Sequence, residues 1–179
     1  MTKTRIFSLA FAALVLAACG GGEPATETAQ PPAAPAPQAP ADAPAATYDG
    51  PPAEITITPV GNEMRYEQTE FTVAPGQTVH LTLNNTATNP AMSHNVVVLA
   101  LGADPNAVGQ AALSAAGTGY IPQDMADRIV AHTPMSAPGQ TVEVTFTAPQ
   151  QAGDYPYICT FPGHYVTMRG TMRVAQAPA

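Results

Sequence analysis

Three soft or borderline metal donors lie within one run of ten residues, Cys159-Thr160-Phe161-Pro162-Gly163-His164-Tyr165-Val166-Thr167-Met168. A thiolate, an imidazole and a thioether are together the donor types that suit copper cycling between Cu(I) and Cu(II). Pro162 and Gly163 interrupt any regular element, so the run reads as a strand carrying Cys159 that opens into a loop carrying His164 and Met168. A lone cysteine is also a common buried packing residue, and it is the neighbouring His and Met that favour a metal. A trigonal site of two imidazoles and one thiolate, with a weak axial thioether, needs a second histidine from elsewhere. His94 is the candidate: it heads the apolar run His94-Asn95-Val96-Val97-Val98, after the loop Asn89-Pro90-Ala91-Met92-Ser93. His80 and His132 fall in strand-like segments and read as structural, and Met64, Met125 and Met135 have no spacing that links them to the site.

The elements that must position these donors are strands. Apolar residues alternate at Ile55 and Ile57, Phe71 and Val73, Val79 to Leu83, Val142 to Phe146, and Met172 and Val174. Such alternation marks half-buried antiparallel strands, and the continuous run Val96 to Ala100 marks a strand buried on both sides. Turn signals at Gly61-Asn62, Pro75-Gly76 and Pro138-Gly139 separate them. Residues 54–175 are therefore expected to form one all-β sandwich, with 176–179 as a tail. Between Asp104 and Gly117 the spacing changes to three and four residues at Val108, Ala111, Ala112 and Ala115, which predicts a short helical flap despite Gly109 in its middle.

The start of the chain reads differently. Lys3 and Arg5 precede an apolar stretch, Ile6 to Leu16, that is too short to span a bilayer, which takes about 20 residues. It ends in Leu16-Ala17-Ala18-Cys19, which resembles a bacterial lipoprotein signal: 1–18 would be removed and Cys19 lipidated. An ordinary export signal cut after small residues is the alternative. Either route leads out of the cytoplasm, where disulfides are favoured, and with Cys19 in the leader Cys159 has no partner for one. In 19–53, nine prolines crowd between Pro24 and Pro52 among Ala, Gly, Gln and Thr. Such a segment cannot bury enough apolar surface to offset its chain entropy, and a disordered Pro/Ala-rich tether is expected. It suits a mobile shuttle or a passive spacer equally.

Charge narrows the partners. The chain carries six basic and thirteen acidic side chains, a formal −7, and has no lysine after Lys3. No basic face is available for nucleic acid or an anionic leaflet. Membrane attachment would run through the lipid anchor alone.

With these residues in view, 54–174 resembles the azurins, small blue copper proteins of the cupredoxin family. Their second ligand loop runs Cys, Thr or Ser, Phe, Pro, Gly, His, then Met four residues on, then Lys-Gly; here Met168 is followed by Arg169-Gly170. Their first ligand histidine follows Met-Gly and precedes Asn, where this chain has Met92-Ser93-His94-Asn95. Asp127 to Thr133 also resembles an azurin strand. The resemblance implies a Greek-key fold and one type 1 copper held equatorially by His94, Cys159 and His164. Met168 and the Ser93 carbonyl would lie on the axis, and Asn95, Thr160 and Phe161 around the ligands. It implies a His164 edge reaching the surface in an apolar patch, where electrons would pass to and from redox proteins of the envelope. The expected role is one-electron carriage in the periplasm or at the outer membrane, with no small-molecule substrate and no enzymatic activity. Copper storage or delivery is the alternative. The chain departs from the pattern at Ser93, which replaces a glycine, at Val96, which replaces an aromatic residue, and in lacking the azurin disulfide.

Overall fold

A computed structural model describes residues 48–176. The expected signal segment, Cys19 and most of the tether lie outside the described residues. Among those described, eight strands form two sheets. One contains β1 (Ala53–Ile57), β3 (Thr78–Asn84) and β6 (Thr141–Thr147) in the order β1-β3-β6. The other contains β2 (Glu70–Val73), β4 (Val97–Leu99), β5 (Ile129–His132), β7 (Gly153–Ile158) and β8 (Arg169–Val174) in the order β2-β8-β7-β4-β5.

The two-residue period does what it predicts: Val79, Leu81 and Leu83 turn inward from β3 while Thr78 and Asn84 at its ends are exposed. Ile57, Val73, Val98, Tyr157, Met172 and Val174 meet them between the sheets. Cys159 and Met168 belong to this same buried cluster, so both sulfurs grow out of the core rather than from a mobile surface loop. Close packing of that kind makes large displacements of either sulfur costly.

Three expectations are corrected. The alternating strands are not all antiparallel, because β1 pairs with β3, and β2 with β8, in parallel. Alternation reports a half-buried face, whereas strand direction is set by the connection, and β2 departs to the other sheet between β1 and β3. The buried strand is shorter than Val96 to Ala100: β4 spans Val97–Leu99, and its register with β5 shifts between Val98 and Leu99. The helix α1 covers only Pro105–Ala112. Asp104 caps it, accepting from Asn106 N at 2.8 Å, and Pro105 fits the first turn. Its end tightens through bonds from Leu113 N to Gln110 O and from Ser114 N to Ala111 O, leaving Gly117 in a separate 3-10 turn, Ala116–Thr118.

Gly109, unfavourable by helix propensity, is explained by its neighbour. A Cβ there would lie 2.1 Å from Cγ of Tyr165, so only glycine lets that ring rest on the helix. Tyr165 directly follows His164, and α1 is thereby seated on the loop that carries the donors.

Candidate metal centre

His94 does not open a strand; it precedes β4 and forms an isolated bridge with Ser136. Its N–H donates to Ser136 O at 3.0 Å, and Ser136 N donates to His94 O at 2.7 Å. Cys159 sits one residue past the end of β7, with its N–H donating to Met168 O at 3.0 Å. The chain then turns through Gly163, whose φ of +83° is a conformation that side chains with a Cβ rarely adopt. His164 begins a 3-10 turn, His164–Val166, and its carbonyl accepts from Met168 N at 2.8 Å. Met168 is fully buried, bonded through its backbone to both Cys159 and His164. Ser93 is half-buried between Met92 and His94.

These placements bring three donors together. His94 Nδ1 lies 3.8 Å from Cys159 Sγ, His164 Nδ1 lies 3.7 Å from it, and the two nitrogens are 3.2 Å apart. A point equidistant from donors with these separations lies about 2.1 Å from each, within ordinary metal–nitrogen and close to metal–sulfur bond lengths. All three side chains are buried. Two imidazole nitrogens and a sulfur turned on one point satisfy little of each other's hydrogen bonding, and a single cation would satisfy all three. The residues therefore fit one copper ion, as the donor types predict.

The surroundings keep the imidazoles neutral. Burial, with His164 adding its charge, lowers His94 to about 4, and burial lowers His164 as well. Burial pushes the Cys159 thiol up to about 11 in the metal-free protein, opposed by the backbone amides of Asn95 and Phe161 and by the Tyr66 hydroxyl. Those opposing groups favour the thiolate that a metal requires.

Asn95 and Thr160 tie the two ligand segments together: Asn95 Nδ2 donates to Thr160 Oγ1 and Thr160 N donates to Asn95 Oδ1, each at 2.8 Å. Phe161, half-buried, packs on the His164 ring at a centroid distance of 4.8 Å. His164 is only 4% exposed, and Val166, two residues on, is the exposed apolar residue of that turn. Thr167 Oγ1 donates to Met64 O, which brings the exposed Met64 to the same end of the molecule.

Sequence reasoning missed Tyr66 and Asn85. Tyr66 is fully buried, and its hydroxyl donates to Asn95 O at 2.5 Å. Asn85, also fully buried, donates through Nδ2 to Met92 O at 2.9 Å and to Ser136 O at 3.0 Å, pinning the loop on the N-terminal side of His94. Neither carries a local signal, since each meets a partner distant in sequence. His80 and His132 stay outside the site, as expected: His80 pairs with Glu54 at 2.8 Å on the outer face, and His132 is exposed at the end of β5.

Residues 53–175 match the family of copper binding proteins described as plastocyanin/azurin. Auracyanin-A of Chloroflexus aurantiacus is 39% identical over 165 residues, covering 90% of each chain. Azurin-1 of Alcaligenes xylosoxydans xylosoxydans is 31% identical over 128 residues, 68% of this chain and 98% of that one. Among solved structures, reduced auracyanin from Roseiflexus castenholzii superposes with a TM-score of 0.63 at 40% identity, covering 71% of this chain and all of the other. The converging donors, the two-sheet body and these likenesses agree, and the chain belongs to the plastocyanin/azurin family of blue copper proteins.

Proposed function

We propose that this protein is a one-electron carrier of the bacterial envelope, and not an enzyme. The carrying observation is the buried triangle of His94, Cys159 and His164, whose donors face one point from two segments bonded to each other. Copper bound there supplies one electron per cycle between Cu(I) and Cu(II). The protein's part is to hold the donors still. The Asn95–Thr160 bonds lock the two ligand segments to each other, Ser136 holds His94, and the Cys159–Met168 bond closes the loop. A donor set that does not rearrange lets charge change with little nuclear movement.

Met168, through its thioether, and Ser93, through its carbonyl, are the further residues that would hold the ion. Asn95, Thr160 and Phe161 surround the equatorial donors and tune them. The apolar end near His164, with Val166 and Met64 exposed, suits brief docking of redox proteins over a small area. Residues 1–18 would act as a lipoprotein signal, Cys19 as the lipidated anchor and 19–53 as the tether of the cupredoxin domain. An outer-membrane site for that anchor is supported by 40% identity over 93 residues to outer membrane protein H.8 of Neisseria gonorrhoeae, half of whose length is covered.

Copper exchange against an excess of chelator tests carriage against storage or delivery. A carrier retains its ion over hours while cycling reversibly with a redox mediator; release within minutes would favour delivery.

A further inference from the structure

Arg169 immediately follows Met168 and opens β8. Its Nε donates to the carbonyl of Tyr165, inside the His164–Met168 turn. Its Nη2 donates to Asn106 Oδ1, in the first turn of α1, at 2.6 Å. Asn106 is in turn fixed by Asp104, and the Tyr165 ring lies on Gly109 of the same helix. The charge of Arg169 is thus spent on a carbonyl and an amide. The other described arginines face carboxylates: Arg65 with Glu63 at 3.1 Å, Arg128 with Asp127 at 3.1 Å, and Arg173 with Asp154 at 3.0 Å and Glu70 at 3.4 Å. Among the described residues Arg169 has no carboxylate within that reach.

We propose that Arg169 is a positioning residue that locks α1 onto the ligand-bearing turn, so that the helix takes part in holding His164 and Met168. The planar guanidinium reaches two acceptors in different directions at once, one in the turn and one in the helix, and charged donors make the stronger bonds. An ammonium keeps the charge but loses the rigid fork. The Gly109–Tyr165 contact supplies the apolar half of the same clasp. Its consequence for copper rests on the function proposed above, whereas the clasp itself can be read without metal.

The test is amide hydrogen exchange in the metal-free protein for the parent, Arg169→Lys, Asn106→Ala and the double variant. Thr167 N and Met168 N both donate to His164 O and report on the turn. Exchange at these two amides should rise about tenfold in each single variant, the scale of one lost charged hydrogen bond. The β4 amides should keep their protection, and the double variant should exceed Arg169→Lys by less than about twofold, since the two residues share one bond. In the copper-loaded protein the same variants should release copper faster and shift the visible band. Unchanged exchange at Thr167 and Met168, or in Asn106→Ala an equal rise across β4, would overturn the clasp. If Arg169→Lys loosens the whole fold, the exposed Asn106→Ala decides alone. A parent protein that takes up no blue copper would sink the functional reading while leaving the exchange result to stand.

Discussion

Asn95 and Thr160 exchange hydrogen bonds in both directions across 65 residues of sequence, each 2.8 Å long and fully buried. The pair joins the residue after one donor, His94, to the residue after another, Cys159. Whatever moves one ligand segment must therefore move the other or break two buried bonds, each worth about 1 kcal/mol net and more if a partner is left unsatisfied.

Tyr66 extends this connection by donating to the Asn95 carbonyl. Tyr66→Phe keeps the ring and strands that carbonyl, so folding stability should fall by about 1 to 3 kcal/mol in urea denaturation. The blue band should persist with altered intensity or position. A variant as stable as the parent would show that the carbonyl finds another partner.

Met168 is held by its backbone, with N–H to His164 O and carbonyl to Cys159 N, so a change of side chain should leave His94, Cys159 and His164 in place. Met168→Leu is expected to retain the blue colour and raise the reduction potential, because an apolar group in place of the proposed thioether ligand favours Cu(I). Loss of all copper from this variant would contradict an axial role.

The metal-free protein should be most stable between about pH 6.5 and 9. His94 falls from 6.5 to about 4 on folding, so the unfolded chain takes up the proton first as pH drops, and stability declines from 6.5 toward 4. Cys159 rises from 9.0 to about 11, so the unfolded chain loses its proton first as pH climbs, and stability declines from 9 toward 11. Tyr157, raised from 10.0 by burial, adds to the alkaline loss at higher pH. Urea midpoints across the range measure both limbs, and Cys159→Ser should move the alkaline onset from about 9 to about 10. His164, also lowered by burial, adds to the acid limb, and a flat profile from pH 4 to 6.5 would show that neither imidazole is buried in a neutral state.

The three converging donors were legible because their chemistry is local: Cys159 and His164 share one loop, and the demand for a second imidazole points to His94. The strands were legible wherever one face is wet, as in β3 and β6. Parallel pairing of β1 with β3 was not, since side-chain period carries no direction. The early end of α1 was hidden because Ala115 keeps the helical spacing after the backbone has tightened into 3-10 bonds. Tyr66, Asn85 and Arg169 act on groups 29, 51 and 63 residues away, a relation that only the folded chain supplies.

The visible absorption spectrum of copper-loaded protein, compared between the parent and Cys159→Ser, tests the central assignment most directly. The parent should take up one copper and turn intensely blue, and the serine variant should lack that band because the charge-transfer donor is the Cys159 thiolate. A colourless parent, or a band that survives the loss of the sulfur, would contradict a site built on His94, Cys159 and His164.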